Sequence, residues 1–322
     1  MERVLEPSVL LKRRGRDWSF GAAFVVMVAF FIVAPFVAYP VFLMKALCFA
    51  LFACAFNLLI GYVGLISFGH ALFFGWASYL TAYSAKTWGL SPELAIAIGT
   101  ATAAVLGVVA GGLAIRRQGI YFAMITLALS QMMYFFALQA KFTGGEDGIQ
   151  GVPRGRLFGV FSLANEQTMY IFILVVVLAG FLLIYRIINS PFGEVLKAIR
   201  ENEQRTISLG YDTERYKLVA FVLSATLAGL AGSLNSLVFQ LASLTDIHWT
   251  MSGDVVLMTL LGGLGTVFGP VVGAFLVIAM QNYLAPFGQW VLVIQGAIFV
   301  VCVLLFRRGI VGEIAQLLRV QL

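Results

Sequence analysis

Runs of about twenty apolar residues recur along the whole 322-residue chain, separated by short polar segments. A helix needs about 20 such residues to cross the hydrocarbon core of a bilayer. Charged residues make up only 11% of the chain, whereas a soluble domain carries about 25%. This pattern excludes a soluble enzyme, a nucleic-acid-binding domain and a single-anchor receptor. It predicts an all-α fold, a polytopic bundle of transmembrane helices.

About ten spans can be placed along the sequence, and several of them contain glycine. The predicted spans are residues 20–39, 41–60, 65–85, 92–115, 119–138, 169–188, 218–240, 251–264, 266–283 and 288–306. The span at 251–264 would reach only about 21 Å as a helix, so we expect it to be short or broken. The sequence therefore predicts about ten crossings with some glycine-broken helices.

The positions of Lys and Arg predict the orientation of the bundle. With the N-terminus inside, about 16 of the 21 basic residues fall on the cytoplasmic side, as the positive-inside rule requires. Both termini are then cytoplasmic. We expect a cytoplasmic segment at 1–18, a transmembrane domain at 19–310 and a cytoplasmic tail at 311–322. Within the domain, residues 139–167 form an outer loop and residues 189–217 a cytoplasmic loop.

Two glycine-rich segments share the pattern G-x-x-G followed by an aromatic residue and another glycine. We name residues 61–69 the first break and residues 262–269 the second break. Unwound backbone at membrane depth lines a cavity or lies buried in protein, and in transporters such breaks mark the binding site. Glycine also allows close helix packing, so packing remains the alternative. The candidate substrate-path residues are Ser67, Phe68, Gly69, His70, Gly262, Gly263, Gly265 and Gly269.

The sequence shows no motif for a catalytic or metal centre. The two histidines, His70 and His248, form no H-x-x-x-H, and the chain has no C-x-x-C or phosphate-binding loop. An intramembrane enzyme built around His70 is therefore the weakest hypothesis. Ion-coupled carriers place ionisable groups inside the membrane. The nearest candidate, Asp254, is expected in the first turn of its helix, where the dipole favours a carboxylate. Transport energy must then come from a partner, or the protein is a passive channel.

The charged stretch after the sixth predicted span has the pattern of an amphipathic helix. Ser190 and Pro191 form a helix start, and Gly210 forms a stop. Apolar residues between them recur at i, i+3, i+4 and i+7, and Glu201 stands four residues before Arg205 for an ion pair. We predict one cytoplasmic helix of about 18 residues that carries force from a partner into the membrane helices. A solvated or interface-lying helix is the alternative.

Four short runs of the sequence stand out together: GYVGLISFGHA at 61–71, RENE through LG at 200–210, YKLVAF at 216–221 and GGLGT at 262–266. They closely resemble the permeases of branched-chain amino acid ABC transporters, most nearly the M-type subunit of the leucine/isoleucine/valine importer family. The resemblance covers about residues 40–310. It implies a multi-pass import permease of the bacterial inner membrane.

The resemblance also implies partners. A second, H-type permease would pair with the chain in membrane lipid, two ATP-binding subunits would bind at the cytoplasmic face, and a periplasmic binding protein would deliver substrate. ATP and Mg would belong to the ATPase subunits, so this chain would bind no cofactor, and no nucleic acid is involved. The implied ATPase-coupling residues are Glu194, Arg200, Glu203, Arg205 and Gly210. The implied binding-protein contacts in the periplasmic loop are Thr143, Gly144, Gly145, Arg154 and Arg156, of which the two arginines could instead be simply solvated.

The sequence leaves more than one substrate open. The resembling family also includes permeases for urea, short amides and other amino acids. An apolar bundle with little charge suits a zwitterion that carries an aliphatic side chain, and it does not exclude urea. A passive channel for a small neutral solute is the alternative from a different class.

Overall fold

The computed structural model describes residues 7–36, 38–117, 119–288, 290–306 and 309–317. Within these ranges the chain folds into helices with four two-residue strands. The α-helices are α1 Pro7–Val33, α2 Pro40–Tyr62, α3 His70–Lys86, α4 Pro92–Ala114, α5 Ile120–Gln139, α6 Glu166–Ile188, α7 Pro191–Glu201, α8 Glu203–Ser208, α9 Thr213–Phe239, α10 Trp249–Gly262, α11 Gly269–Leu284, α12 Trp290–Leu305 and α13 Gly309–Leu317. The strands are β1 Ile149–Gln150, β2 Arg156–Leu157, β3 Phe161–Ser162 and β4 Leu241–Ala242.

Six helices among the described residues are long and apolar enough to cross a bilayer. They are α2, α4, α5, α6, α9 and α11, the last extended by a short 3-10 turn to Phe287. The predicted spans at 65–85 and 251–264 correspond to α3 and α10, with 17 and 14 residues. The second of these is short, as predicted. The first begins only at His70, and Gly75 lies within it without interrupting the helix.

Helix α2 forms the centre of the bundle. Every residue from Ala46 to Tyr62 is buried, and α6, α9, α10 and α11 pack around it. A helix that is apolar on all sides is expected in such a position. Helix α5 is much less buried than α2. In the most apolar 18-residue stretch of each helix, 22% is buried in α5 and 94% in α2. Most of the surface of α5 therefore faces outward.

Small residues bring α4 and α9 into close contact. A Cβ added at Gly107 would lie 2.8 Å from the Cβ of Ala225, and one added at Gly111 would lie 2.9 Å from Phe221 Cδ1. Helices in lipid associate through this kind of packing, since the solvent around them is as apolar as their side chains. These glycines therefore act through close packing.

At one end of the bundle, two loops pair with each other. Strand β1 lies antiparallel to β4, with Ile149 opposite Ala242. Within the loop after α9, the Asp246 carboxylate and Ser243 form a reciprocal capping box, and Asp246 is 9% exposed. This burial raises the pKa of the Asp246 carboxyl to about 6. The pairing fixes the loop between α5 and α6 against the end of α9.

The charged segment at 189–217 begins and ends where the sequence predicts. Ser190 Oγ accepts a hydrogen bond from the backbone N–H of Gly193 at 3.3 Å, and Pro191 occupies the first helical position. Gly210 follows the segment with φ +90°, a left-handed conformation that glycine adopts without strain. Both end signals of the predicted helix are confirmed.

The prediction of a single helix of about 18 residues is wrong, because the segment breaks at Asn202. The backbone of Asn202 is extended (φ −159°, ψ 98°), and its Oδ1 accepts a hydrogen bond from the N–H of Arg205 at 3.0 Å. Asn202 thus acts as the N-cap of a new helix, α8. The predicted ion pair of Glu201 with Arg205 required one continuous helix, and it is absent from the ion pairs of the described residues.

Candidate functional site

The two glycine-rich breaks lie about 200 residues apart in sequence and meet at the last turn of α2. The side chain of Asn57, 3% exposed, binds the second break at two points. Its Nδ2 donates to the carbonyl of Thr266 at 2.9 Å, and its Oδ1 accepts from the N–H of Gly265 at 3.1 Å. One turn later, a Cβ on Gly61 would lie 2.8 Å from the nitrogen of Gly265. Glycine at position 61 therefore allows the two breaks to touch.

The first break runs as irregular backbone between α2 and α3. Gly64 has φ +83°, a conformation that L side chains rarely adopt. The N–H of Phe68 donates to Thr126 Oγ1 on α5 at 3.2 Å, and a Cβ on Gly69 would lie 2.8 Å from the carbonyl oxygen of Thr126. The first break is thus fixed against α5 at one end.

An open groove of about 440 Å³ lies between the first break and the beginning of α5. Its lining is almost entirely apolar, and Ile66 and Met124 are 47% and 61% exposed. Such a surface suits an aliphatic group. Of the predicted path residues, Phe68 lines this groove, whereas Ser67 and Gly69 are buried in protein. The lining residues are Gly64, Leu65, Ile66, Phe68, Gly119, Ile120, Ala123, Met124 and Leu127.

His70 is fully buried and connects three helices. Its Nε2 lies 2.8 Å from Ser224 Oγ, whose hydroxyl proton is donated to the carbonyl of Ala55. Because that proton is already used, Nε2 must carry the hydrogen and donate it to Ser224. The ring packs edge-on against Phe56 and Phe73. This is the geometry of a packed, hydrogen-bonded histidine. In the ranges that the structure describes, no three His, Cys, Asp or Glu side chains gather to hold a metal ion.

The second break is packed backbone against backbone. A Cβ on Gly262 would collide with the carbonyl of Gly269, and one on Gly269 would lie 2.7 Å from the carbonyl oxygen of Gly263. Thr266 Oγ1 donates to the carbonyl of Gly263 at 2.8 Å and accepts from the N–H of Gly269 at 3.1 Å. Gly263 and Gly265 have φ +123° and +74°. These contacts hold α10 and α11 as a tight hairpin.

Two charged side chains, Asp254 and Lys45, lie within the apolar helices α10 and α2. Asp254 occupies the second turn of α10, not the first as predicted, and its Oδ2 accepts from Gln281 Nε2 at 3.3 Å. The Lys45 ammonium lies 5.9 Å from the Phe49 ring centroid and 6.0 Å from that of Phe239. Lys45 and Asp254 also interact electrostatically with each other, and their amide and aromatic neighbours add to the stabilisation of both charges.

Two of the predicted coupling residues contact the membrane helices. Arg200 on α7 is exposed, yet its Nη1 donates to the carbonyl of Gly61 at the end of α2. Glu203 on α8 forms an ion pair with Lys217, which is 2% exposed, and accepts from Thr213 Oγ1 at 3.1 Å. These contacts connect α7 to the first break and α8 to the start of α9.

The other three predicted coupling residues lie on the exposed side of the segment. Glu194 pairs with Lys197 at 2.8 Å, and Arg205 and Gly210 are exposed. Because the chain bends at Asn202, α8 lies beside α7, and a groove of about 680 Å³ opens there. It is lined by Asn189, Ser190, Pro191, Glu194, Val195, Ala198, Thr206, Leu209 and Tyr211.

The predicted binding-protein contacts fall into two groups. Thr143 is fully buried, and its hydroxyl lies 2.6 Å from the carbonyls of Ala137 in α5 and of Ala140, the C-cap of α5. Arg154 donates to two carbonyls in the final turns of α9 at 2.8 and 3.3 Å. Both side chains satisfy helix C-termini. Gly144 and Arg156 are exposed, and Gly145 is partly exposed.

Sequence reasoning missed Asn57, although it makes two hydrogen bonds to the second break. Its signal was present, because an asparagine inside an apolar span four residues before Gly61 needs polar partners. Lys217, the buried partner of Glu203, was equally overlooked. In both cases the partner lies on a different element and is invisible to a local pattern.

A bundle of several long apolar helices, with irregular glycine-rich backbone inside it, defines a multi-pass helical membrane protein. Its family is that of the branched-chain amino acid transport system / permease component, whose family model matches residues 39–303, and the chain belongs to this family. The resemblance predicted from the sequence is thereby confirmed.

Curated relatives agree with this assignment. The chain is 26% identical to the high-affinity branched-chain amino acid transport system permease protein LivM of Escherichia coli, over 79% of this chain and 65% of the relative. It is 30% identical to the probable branched-chain amino acid transport permease protein LivM of Methanocaldococcus jannaschii, over 53% of this chain and 51% of the relative. The probable permease LivH of that organism is 27% identical, over 37% of each chain. No solved structure matches the chain.

Proposed function

We propose that this chain is a membrane subunit of an ATP-driven importer for branched-chain or related amino acids. In this proposal a second, H-type permease completes the path, two ATPase subunits bind and hydrolyse ATP with Mg at the cytoplasmic face, and a periplasmic binding protein delivers substrate. The observation that carries the proposal is the family match over residues 39–303. The relatives named for branched-chain amino acid transport support the substrate class.

The proposed topology has about ten crossings, with both termini in the cytoplasm of a bacterial cell and the chain in its inner membrane. Residues 139–167 would then lie in the periplasm, and the segment from α7 to α8 in the cytoplasm. The charge distribution supports this orientation. The arrangement of the helices supports this topology as well. The end of α2, the second break and α7 are all assigned to the cytoplasmic side, and they lie together at one end of the bundle.

The proposed path passes the first break. The groove beside Phe68 and α5 offers an apolar surface for the branched side chain, and unwound backbone supplies carbonyl groups for a polar headgroup. The proposed ATPase contact is the exposed side of the segment from α7 to Gly210, with Glu194 lining the second groove and Arg205 and Gly210 exposed. Gly144, Gly145 and Arg156 remain the proposed exposed contacts for the binding protein.

Uptake by the reconstituted complex tests the proposal. The chain would be placed in proteoliposomes with its second permease, ATPases and binding protein, and radiolabelled leucine uptake measured with ATP or a non-hydrolysable analogue. We expect leucine uptake only with ATP and little competition by urea. Competition by urea would instead identify an amide permease. Equal uptake with the analogue would identify a passive channel and refute the importer.

A further inference from the structure

The side chain of Arg200 contacts both glycine-rich breaks. Its Nη1 donates to the carbonyl of Gly61, and it lies 3.2 Å from the position that a Cβ on Gly265 would occupy. Its Cγ lies 3.2 Å from the corresponding position on Gly64. Arg200 therefore sits where the end of α2, the first break and the second break converge.

The hydrogen bond to Gly61 has a clear physical basis. Helix α2 ends at Tyr62, so the carbonyl of Gly61 is one of the last four and has no partner within its helix. The C-terminal end of a helix also carries partial negative charge, which attracts a cation. A guanidinium donor from α7 satisfies both needs with a charge-assisted hydrogen bond.

Asn57 extends this connection to the second break. Its amide is buried and uses both its donor and its acceptor on the backbone around Gly265 and Thr266. Removing one of these bonds would leave a buried backbone group unpaired, which is costly. The second break is therefore bound to α2 one turn away from the point that Arg200 holds.

These contacts form a continuous chain from the cytoplasmic segment into the bundle. It runs from α7 through Arg200 to the end of α2, and through Asn57 to the hairpin of α10 and α11. Glu203, by contrast, binds Lys217 and so connects α8 to α9. The contact of α7 with both breaks is direct, and α7 also packs against α6 and α9.

We infer that Arg200 and Asn57 form a joint that makes both breaks move with α7. Arg200 is a positioning residue whose hydrogen bond to Gly61 transmits the displacement of α7, and Asn57 carries the same displacement to the second break. The inference rests on the proposed function in one respect, that a partner ATPase moves α7. The joint itself is a property of this chain.

The test uses thiol labelling of the second break in the full reconstituted complex. Leu264, which is 38% exposed in the second break, is replaced by cysteine, and the rate of maleimide labelling is measured with and without ATP. Arg200→Ala and Asn57→Leu are compared with Arg116→Ala, a control at an exposed arginine just after α4. ATP hydrolysis and leucine uptake are recorded for every variant.

If the joint exists, both joint variants label faster than the parent without nucleotide, by about fivefold, a typical coupling factor. They also lose the ATP-dependent change in labelling and most uptake, while ATP hydrolysis continues. Arg200→Lys should restore part of the coupling, because lysine can still donate to Gly61. Arg116→Ala should behave as the parent.

The outcomes separate the two claims. Unchanged nucleotide-free labelling in both joint variants overturns the joint, whatever uptake shows. Retention of the ATP-dependent change in Arg200→Ala also overturns it. Faster labelling of the joint variants, in a complex whose parent shows no ATP-dependent uptake, supports the joint and refutes the proposed importer.

Discussion

The two glycine-rich breaks share a sequence pattern and differ in what surrounds them. The first break borders an open apolar groove shared with α5, and Ile66 projects there partly exposed. The second break is closed, with Gly262 against Gly269 and Asn57 holding its backbone. The same motif thus serves an accessible surface in one place and a tight hairpin in the other. Neighbouring elements, not the glycines themselves, decide between the two.

The largest expected effect on stability follows from a substitution in the second break. A methyl group at Gly262 would collide with backbone atoms of Gly269 that cannot rotate away, so Gly262→Ala should destabilise the protein by about 3 kcal/mol. The measurement is the thermal unfolding midpoint in detergent. The matched control is Gly253→Ala on the same helix, where nothing lies within 4 Å of the added methyl group. Equal midpoints for the two variants would show that the second break is not closed.

A smaller effect is expected at the open groove. Met124 lines it, so Met124→Trp should fill the groove and lower leucine uptake by about tenfold, equivalent to about 1.4 kcal/mol. Met132→Trp is the control, since that residue lies on α5 outside the groove and is 58% exposed. Uptake by proteoliposomes containing ATP is the measurement, with unfolding midpoints recorded in parallel. Equal uptake by the two variants would remove the groove from the path.

The smallest expected effect on stability comes from backbone strain at Gly64 in the first break. Gly64 has φ +83°, so Gly64→Ala should cost about 1 kcal/mol, the strain of a left-handed alanine. Gly112→Ala is the comparison in α4, where the methyl group meets open space and a helical alanine is favoured. Unfolding midpoints should fall for the first variant and stay level or rise for the second. A matching rise in both would mean that Gly64 relaxes freely, and that the first break is less constrained than its geometry indicates.

Much of the fold follows from local patterns. Apolar runs of spanning length predict a helical membrane bundle because each run needs only its own composition to be recognised. The start at Ser190 and Pro191 and the stop at Gly210 are equally local. The bend at Asn202 could not be predicted in this way, because the periodic pattern of apolar residues continues through it unchanged. In the structure, Asn202 follows the end of α7 and its side chain caps α8.

The candidate site depends on partners that are distant in sequence. Arg154 looks like a free surface charge until α9, more than 80 residues later, presents its terminal carbonyls. Arg200 and Asn57 likewise form hydrogen bonds with backbone groups that are 139 and 208 residues away in sequence. A pattern in one sequence shows the residue types but not which distant residues come into contact. The joint could therefore be identified only from the structure.

The bend at Asn202 has a mechanical consequence. A single straight helix would transmit the same displacement to every element that it contacts. Here the arm formed by α7 ends on α2 through Arg200, and the arm formed by α8 ends on α9 through Glu203 and Lys217. The segment therefore contacts the membrane helices at different places, and α7 also reaches α9, where Phe192 stacks on Tyr216 with ring centroids 5.5 Å apart. A displacement of the segment would reach the end of α2 and the start of α9 together, through separate contacts.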